Sequence, residues 1–172
     1  MRTITLGDGC RVELRPIRPA DEPELSALYA RLSPETAYQR FFAVMARLPP
    51  DWAPILANVD HERRMALAAV NSDNRLIAVA RYDGDERSGE AEIAIVVQDR
   101  WQGRGLGTIL LTELFAYAEA RGITRFRAYV LTENRRMLHL LARLTRVLER
   151  HTESGVTSLL LTRQPRAEPE AA

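Results

Sequence analysis

The chain is 172 residues long, 46% hydrophobic and 27% charged, with a formal net charge of +1 at pH 7. This suits one globular domain able to bury a proper core, and the near-neutral balance argues against general nucleic-acid binding. No apolar run nears the roughly 18 residues of a membrane span, and a lone Cys10 leaves no internal disulfide or CxxC metal site.

The opening residues "MRTITLGDGC" carry no apolar signal core, so a cytoplasmic location is expected. All 24 basic residues are arginine. There is therefore no lysine for a Schiff base or a phosphate-binding P-loop.

In chain order, Val12, Leu14 and Pro16 alternate with charged residues over 11–17, which predicts a half-buried strand. Leu25, Leu28, Tyr29 and Leu32 recur at helical spacing over 21–32. Ser33-Pro34 reads as an N-cap and first helical residue opening a helix over 34–46. Residues 65–70 and 75–82 predict two strands joined by "NSDN", and 91–97 a third. A helix over 106–121 places Leu106, Ile109, Leu110, Leu114 and Ala118 on one face, with Gly122 as its stop. A strand over 125–131 precedes a helix through 133–144, capped by Thr132, and a final hairpin turns at "ESG".

The order is thus β-α-α-β-β-β-α-β-α-β-β. Three consecutive strands before a β-α-β unit require a mixed α/β sheet of about seven strands with about four helices. A single domain is expected over 1–163, followed by a flexible tail over 164–172, "QPRAEPEAA".

The joint between strand 91–97 and helix 106–121 reads "QDRWQGRGLGT". A P-loop needs different spacing and a lysine; a Rossmann fingerprint needs its third glycine where Thr108 stands. A tight turn explains one glycine but not three. A third phosphate-binding mode fits: successive backbone N–H groups at a helix N-terminus, approached closely because glycine has no Cβ.

"QGRGLG" resembles the Q/R-x-x-G-x-G/A motif of the GCN5-related N-acetyltransferases (GNAT), with Gln102, Gly105 and Gly107 at its defining positions. The upstream "AEIAIVV", the downstream "ENRRM" and the element order extend the resemblance over nearly the whole chain. It implies the GNAT fold and acetyl-CoA as acyl donor. The pyrophosphate would lie on Gln102, Gly103, Arg104, Gly105, Leu106, Gly107 and Thr108. The pantetheine arm would pair with the backbone of Val96 and Val97 and touch Asn134. Arg100, Arg104 and Arg135 are candidate phosphate partners.

Acetyl transfer to an amine needs a group to take the amine's proton. Glu92 matches the family's glutamate base in its "AEI"-like segment, and desolvation on a mostly apolar strand would tune it towards that task; Glu90 is the alternative. The tyrosine that often protonates the CoA thiolate falls at Leu141, and the usual Gly-Phe at Leu144-Thr145. Tyr129 is expected in the core. No metal site is expected.

"LSPETAYQRFF" resembles a segment of bacterial protein lysine acetyltransferases that act on acyl-CoA synthetases and other metabolic enzymes. The expected acceptor is a protein lysine, with a small amine or a catalytically weak acyl-CoA sensor as alternatives. The expected state is monomer or homodimer, without nucleic-acid or membrane partners.

Overall fold

The computed structural model describes residues 2–85 and 87–164. Among them eight strands form one mixed sheet in the order β1-β2-β3-β4-β5-β6-β8-β7. The strands are β1 (Arg2–Thr5), β2 (Arg11–Pro16), β3 (Arg64–Val70), β4 (Leu76–Asp85), β5 (Glu90–Val97), β6 (Arg125–Leu131), β7 (Thr145–Glu153) and β8 (Val156–Arg163). Five helices join them: α1 (Glu22–Ala30), α2 (Pro34–Phe41), α3 (Trp52–Ala57), α4 (Leu106–Glu119) and α5 (Arg135–Leu144). Every neighbouring pair is antiparallel except β5 and β6.

Two layers of side chains cover the sheet. On one face Ala91, Ile93, Phe126 and Ala128 pack beneath Leu106, Leu110, Leu114 and Phe115 of α4 and Leu141 of α5. The Phe115 and Phe126 rings meet at 4.7 Å. On the other face Val79 and Val96 pack beneath Leu25, Leu28 and Tyr29 of α1 and Ala53 and Ala57 of α3. The expected α4 stripe is present, with Ile109 at its half-buried edge.

Two elements were absent from the sequence reading. β1 buries only Ile4 and is held by its antiparallel register with β2. α3 is six residues long and contains Pro54, so neither periodicity nor propensity announces it. Its Leu56 carbonyl accepts from Arg81 at 3.0 Å and its Ile55 carbonyl from Arg64 at 3.3 Å. Distant arginines therefore satisfy groups that a short helix leaves bare.

α2 begins as expected, with Ser33 Oγ accepting from the Thr36 N–H at 3.2 Å. It stops at Phe41, five residues short of the expected end, because Phe42 takes a left-handed φ of 55°. The turn lets Phe41 pack against both Tyr29 (5.2 Å) and Trp52 (5.6 Å), while Val44 lies in solvent. The cap of α5 is Asn134, whose Oδ1 accepts from the Met137 N–H at 3.1 Å; Thr132 instead pairs with Thr157. The last hairpin turns at Ser154 and Gly155, both with positive φ, the twist-matched geometry for two-residue turns. Of the expected tail, only Gln164 is described; it bonds back to Leu144 and Thr145, and 165–172 lie outside the described residues.

The first helix is anchored by a buried ion pair. Arg15 on β2 grips Asp21 with two bonds of 2.7 Å, and Asp21 also accepts from the Arg18 N–H. Burial pushes the Asp21 carboxyl up, but the bonds from Arg15 and Arg18 outweigh it and hold the group below the usual carboxylate range. Asp21→Asn should therefore cost about 3 kcal/mol at neutral pH, since it leaves the buried Arg15 charge with only Glu13, at 3.5 Å, to offset it. A depressed folded-state pKa contributes stability above the unfolded value and loses it as pH falls through the folded one. Urea denaturation at pH 7 and at about pH 3 should show the gap between wild type and variant closing in acid.

Candidate active site

β5 and β6 are paired over only three positions: Glu90 with Arg125, Ala91 with Phe126, Glu92 with Arg127. Beyond Glu92 the strands separate, although β5 remains paired with β4 along its whole length. The Gln98 N–H turns towards β4 to reach the Ile77 carbonyl at 2.9 Å, whereas the Val97 carbonyl turns away and accepts from Gln102. Since direction alternates along a strand, Ile93, Ile95 and Val97 present backbone groups to the gap. The same alternation turns the Val96 amide and carbonyl towards β4, so Val96 contributes cleft wall, and Ile95 shares the open edge with Val97.

The gap opens into a cleft of about 730 Å³. Of the site residues expected from sequence, Glu92, Val96, Val97, Gln102, Gly103, Gly105, Gly107, Thr108 and Asn134 line it. Gly103 and Gly105 have φ of 78° and 82°, a region closed to most other residues. The Ile109 N–H to the Gly105 carbonyl (3.1 Å) is the first rung of α4, so the amides of Leu106, Gly107 and Thr108 have no intrahelical acceptor. A Cβ on Gly107 would stand 3.3 Å from Leu140 Cδ2, so this residue lets α4 and α5 approach.

Arg104 and Leu106 belong to the loop through their backbone alone. The Arg104 guanidinium pairs with Asp8 at 2.6 Å and stacks over Trp101, tying the loop to the β1–β2 turn. Leu106 is buried in the core. Neither Arg100 nor Arg135 lines the cleft; Arg136 does. Arg136 Nη1 donates to Gln102 Oε1 at 3.0 Å, and a Cβ on Gly103 would stand 3.1 Å from Nη2. The guanidinium thus lies over the glycine loop. Positive charge, free amides and bare backbone meet there, which fits a diphosphate. The sequence pointed to Arg135 and passed over its neighbour Arg136; the phase of α5, set by its Asn134 cap, decides between them.

Gln102 is the hub. Its Nε2 donates to the Val97 carbonyl (3.0 Å) and to Thr36 Oγ1 (3.2 Å), while its Oε1 accepts from Arg136. Thr36 Oγ1 in turn donates to Asp99 at 2.7 Å, and Asp99 also accepts from the Ser33 N–H (2.9 Å) and Ser33 Oγ (2.5 Å). Burial raises the Asp99 carboxyl, but these bonds prevail and hold it below its usual range. The network ties the start of α2 to the glycine loop, and sequence gave no sign of it.

At the closed end of the gap, Glu92 is exposed on the α1–α3 face and lines the cleft. The apolar strand does not bury it, contrary to expectation, because cover on that face ends at Ala94. Glu90 is committed elsewhere, to Arg125 at 3.1 Å and Arg127 at 3.0 Å. Behind Ala94, Arg81 is buried and pulled down to about 10, chiefly by desolvation, so it stays charged at neutral pH. Tyr129, expected in the core, is instead exposed and lines the cleft; Leu141 lines it too, from the core side.

The model of the acetyltransferase (GNAT) family matches residues 25–145. An acetyltransferase of Pseudomonas aeruginosa is 30% identical over 79% of this chain and 75% of its own length. Acetyltransferase Pat of Mycolicibacterium smegmatis is 33% identical over 76% of this chain, which spans only 40% of that protein. The GNAT domain of S. lividans PAT superposes with a TM-score of 0.86 at 35% identity, covering 94% of this chain and 96% of that domain.

Thr36→Val removes the link between Asp99 and Gln102 without changing side-chain size. It should lower stability by about 1–2 kcal/mol, read as a reduced urea midpoint at unchanged slope.

Proposed function

The chain belongs to the acetyltransferase (GNAT) family, and from that premise we propose that it moves an acetyl group from acetyl-CoA to a lysine side chain of a metabolic protein. The observation that carries this reading is the gap beyond Glu92, which runs from a diphosphate cradle, along an unpaired strand edge, to an exposed carboxylate.

The donor's pyrophosphate would take the amides ahead of Ile109 and the Arg136 guanidinium. Its amide-bearing pantetheine arm would complete the edge at Ile93, Ile95 and Val97 as an added strand does. Asn134, with Oδ1 used as a cap, offers its Nδ2 to the same arm. Acetyl-CoA supplies the activated acyl carbon. Glu92, directly or through one water, takes the proton of the acceptor ammonium so that the neutral amine attacks in a ternary complex. Similarity to Pat and to the S. lividans PAT domain supports a protein lysine as acceptor over a small amine.

The test is acetyl-CoA turnover against a panel of acyl-CoA synthetases and polyamines, with mass mapping of products. Acetyl-lysine on a synthetase is the expected result. Acetylation of polyamines alone would establish the small-amine alternative, and binding without turnover the sensor alternative. Glu92→Gln should keep acetyl-CoA binding, seen as a thermal shift equivalent to about 2.7 kcal/mol at 100 times Kd. Its turnover should fall at least ~100-fold. Turnover at the wild-type rate would remove Glu92 as base.

A further inference from the structure

Leu141, at the position where the family often places a tyrosine, is a hydrocarbon side chain only 2% exposed and part of the core. It has no proton to give. The register of the sheet places a phenol elsewhere in the same cleft. Glu92 and Arg127 are the last paired residues before β5 and β6 part, and paired residues project to the same face. Tyr129 follows Arg127 by two positions, so it is the first β6 side chain beyond the parting that shares the face of Glu92. It lines the cleft, is 46% exposed, and its hydroxyl makes no hydrogen bond among the described residues.

We propose that Tyr129 protonates the CoA thiolate as it leaves. The assignment rests on the acetyl-transfer reading above. In the step, the neutral amine, its ammonium proton already on Glu92, bonds through nitrogen to the thioester carbonyl carbon. The amine's second proton leaves to solvent, and Glu92 gives up its own to solvent after turnover. The C–S bond breaks with its electron pair going to sulfur, the Tyr129 hydroxyl gives its proton to that sulfur, and solvent reprotonates the phenolate. The competing donor is His139, which also lines the cleft. It stands on α5, between Arg136 and Arg143, and α5 packs on the sheet face opposite Glu92.

Calorimetric binding of CoA and of desulfo-CoA (which lacks the thiol) tests the assignment before any acceptor is known. Wild type should prefer CoA, and Tyr129→Phe should lose about threefold for CoA while holding desulfo-CoA as before. With a working acceptor, Tyr129→Phe should lower kcat at least ~100-fold with little change in the KM for acetyl-CoA. A Tyr129→Phe protein that keeps the wild-type ratio of the two affinities overturns the proposal. So does His139→Gln if it, and not Tyr129→Phe, loses the preference for sulfur. Failure of wild type to bind either ligand would instead overturn the acetyl-CoA reading itself.

Discussion

Everything at the site follows from one missing set of hydrogen bonds, those that β5 and β6 do not make beyond Glu92 and Arg127. Strand backbones inside a sheet must be paired, because a buried amide or carbonyl without a partner costs as much as a lost hydrogen bond. Here the sheet is continuous on either side of the gap: β4 holds β5 along eight positions and β8 holds β6 along six. Only the shared edge is left open. An extended ligand bearing amides is what such an edge can pair. The parting of two strands thus decides the class of molecule that fits before any side chain is considered.

The open gap has to be held at a fixed width, and polar contacts at its mouth do this. Gln102 fastens the Val97 end of β5 to Arg136 of α5 on one side and to Thr36 of α2 on the other. Asp99 then secures α2 through Ser33 and Thr36. Two helices from opposite faces of the sheet therefore converge on one glutamine side chain. This gives a physical reason for a glutamine at the head of the glycine loop: a single amide both donates twice and accepts, which neither a carboxylate nor an ammonium can do.

Much of the fold was legible because its signals are local. Ser33 before Pro34, the apolar stripe of α4, the alternation in β5 and the glycines after it all report their own conformation. What escaped was set by distant partners. α3 exists because Arg81 and Arg64 reach its carbonyls, and α2 ends early because Phe41 finds Tyr29 and Trp52. At the site, residue spacing pointed to the glycine loop and family resemblance to Glu92, and both line the cleft. The sequence named Arg135 where Arg136 lines the cleft, and it could not draw Arg104 away to Asp8 or turn the Val96 backbone from the gap, since each depends on helix phase or strand register. Tyr129 was assigned to the core from its place in an apolar strand, a sound inference for a strand paired on both sides. Tyr129 lies instead on the face where Glu92 is exposed, beside the cleft.

The same parting explains how Glu92 and Tyr129, the two groups proposed to handle protons, line one cleft without sharing a local motif. Glu92 and Tyr129 are far apart in sequence and on different strands, yet both follow from one register position, the Glu92–Arg127 pair. Residues that reach a site from neighbouring strands are fixed by the sheet to within a side-chain rotation, whereas a residue on α5 moves with the packing of that helix. Arg127, between them, is held by the half-buried Glu90 at 3.0 Å and stays out of the gap. With Glu90 and Arg127 committed to each other, the next side chains on that face that line the cleft are a carboxylate on one strand and a phenol on the other.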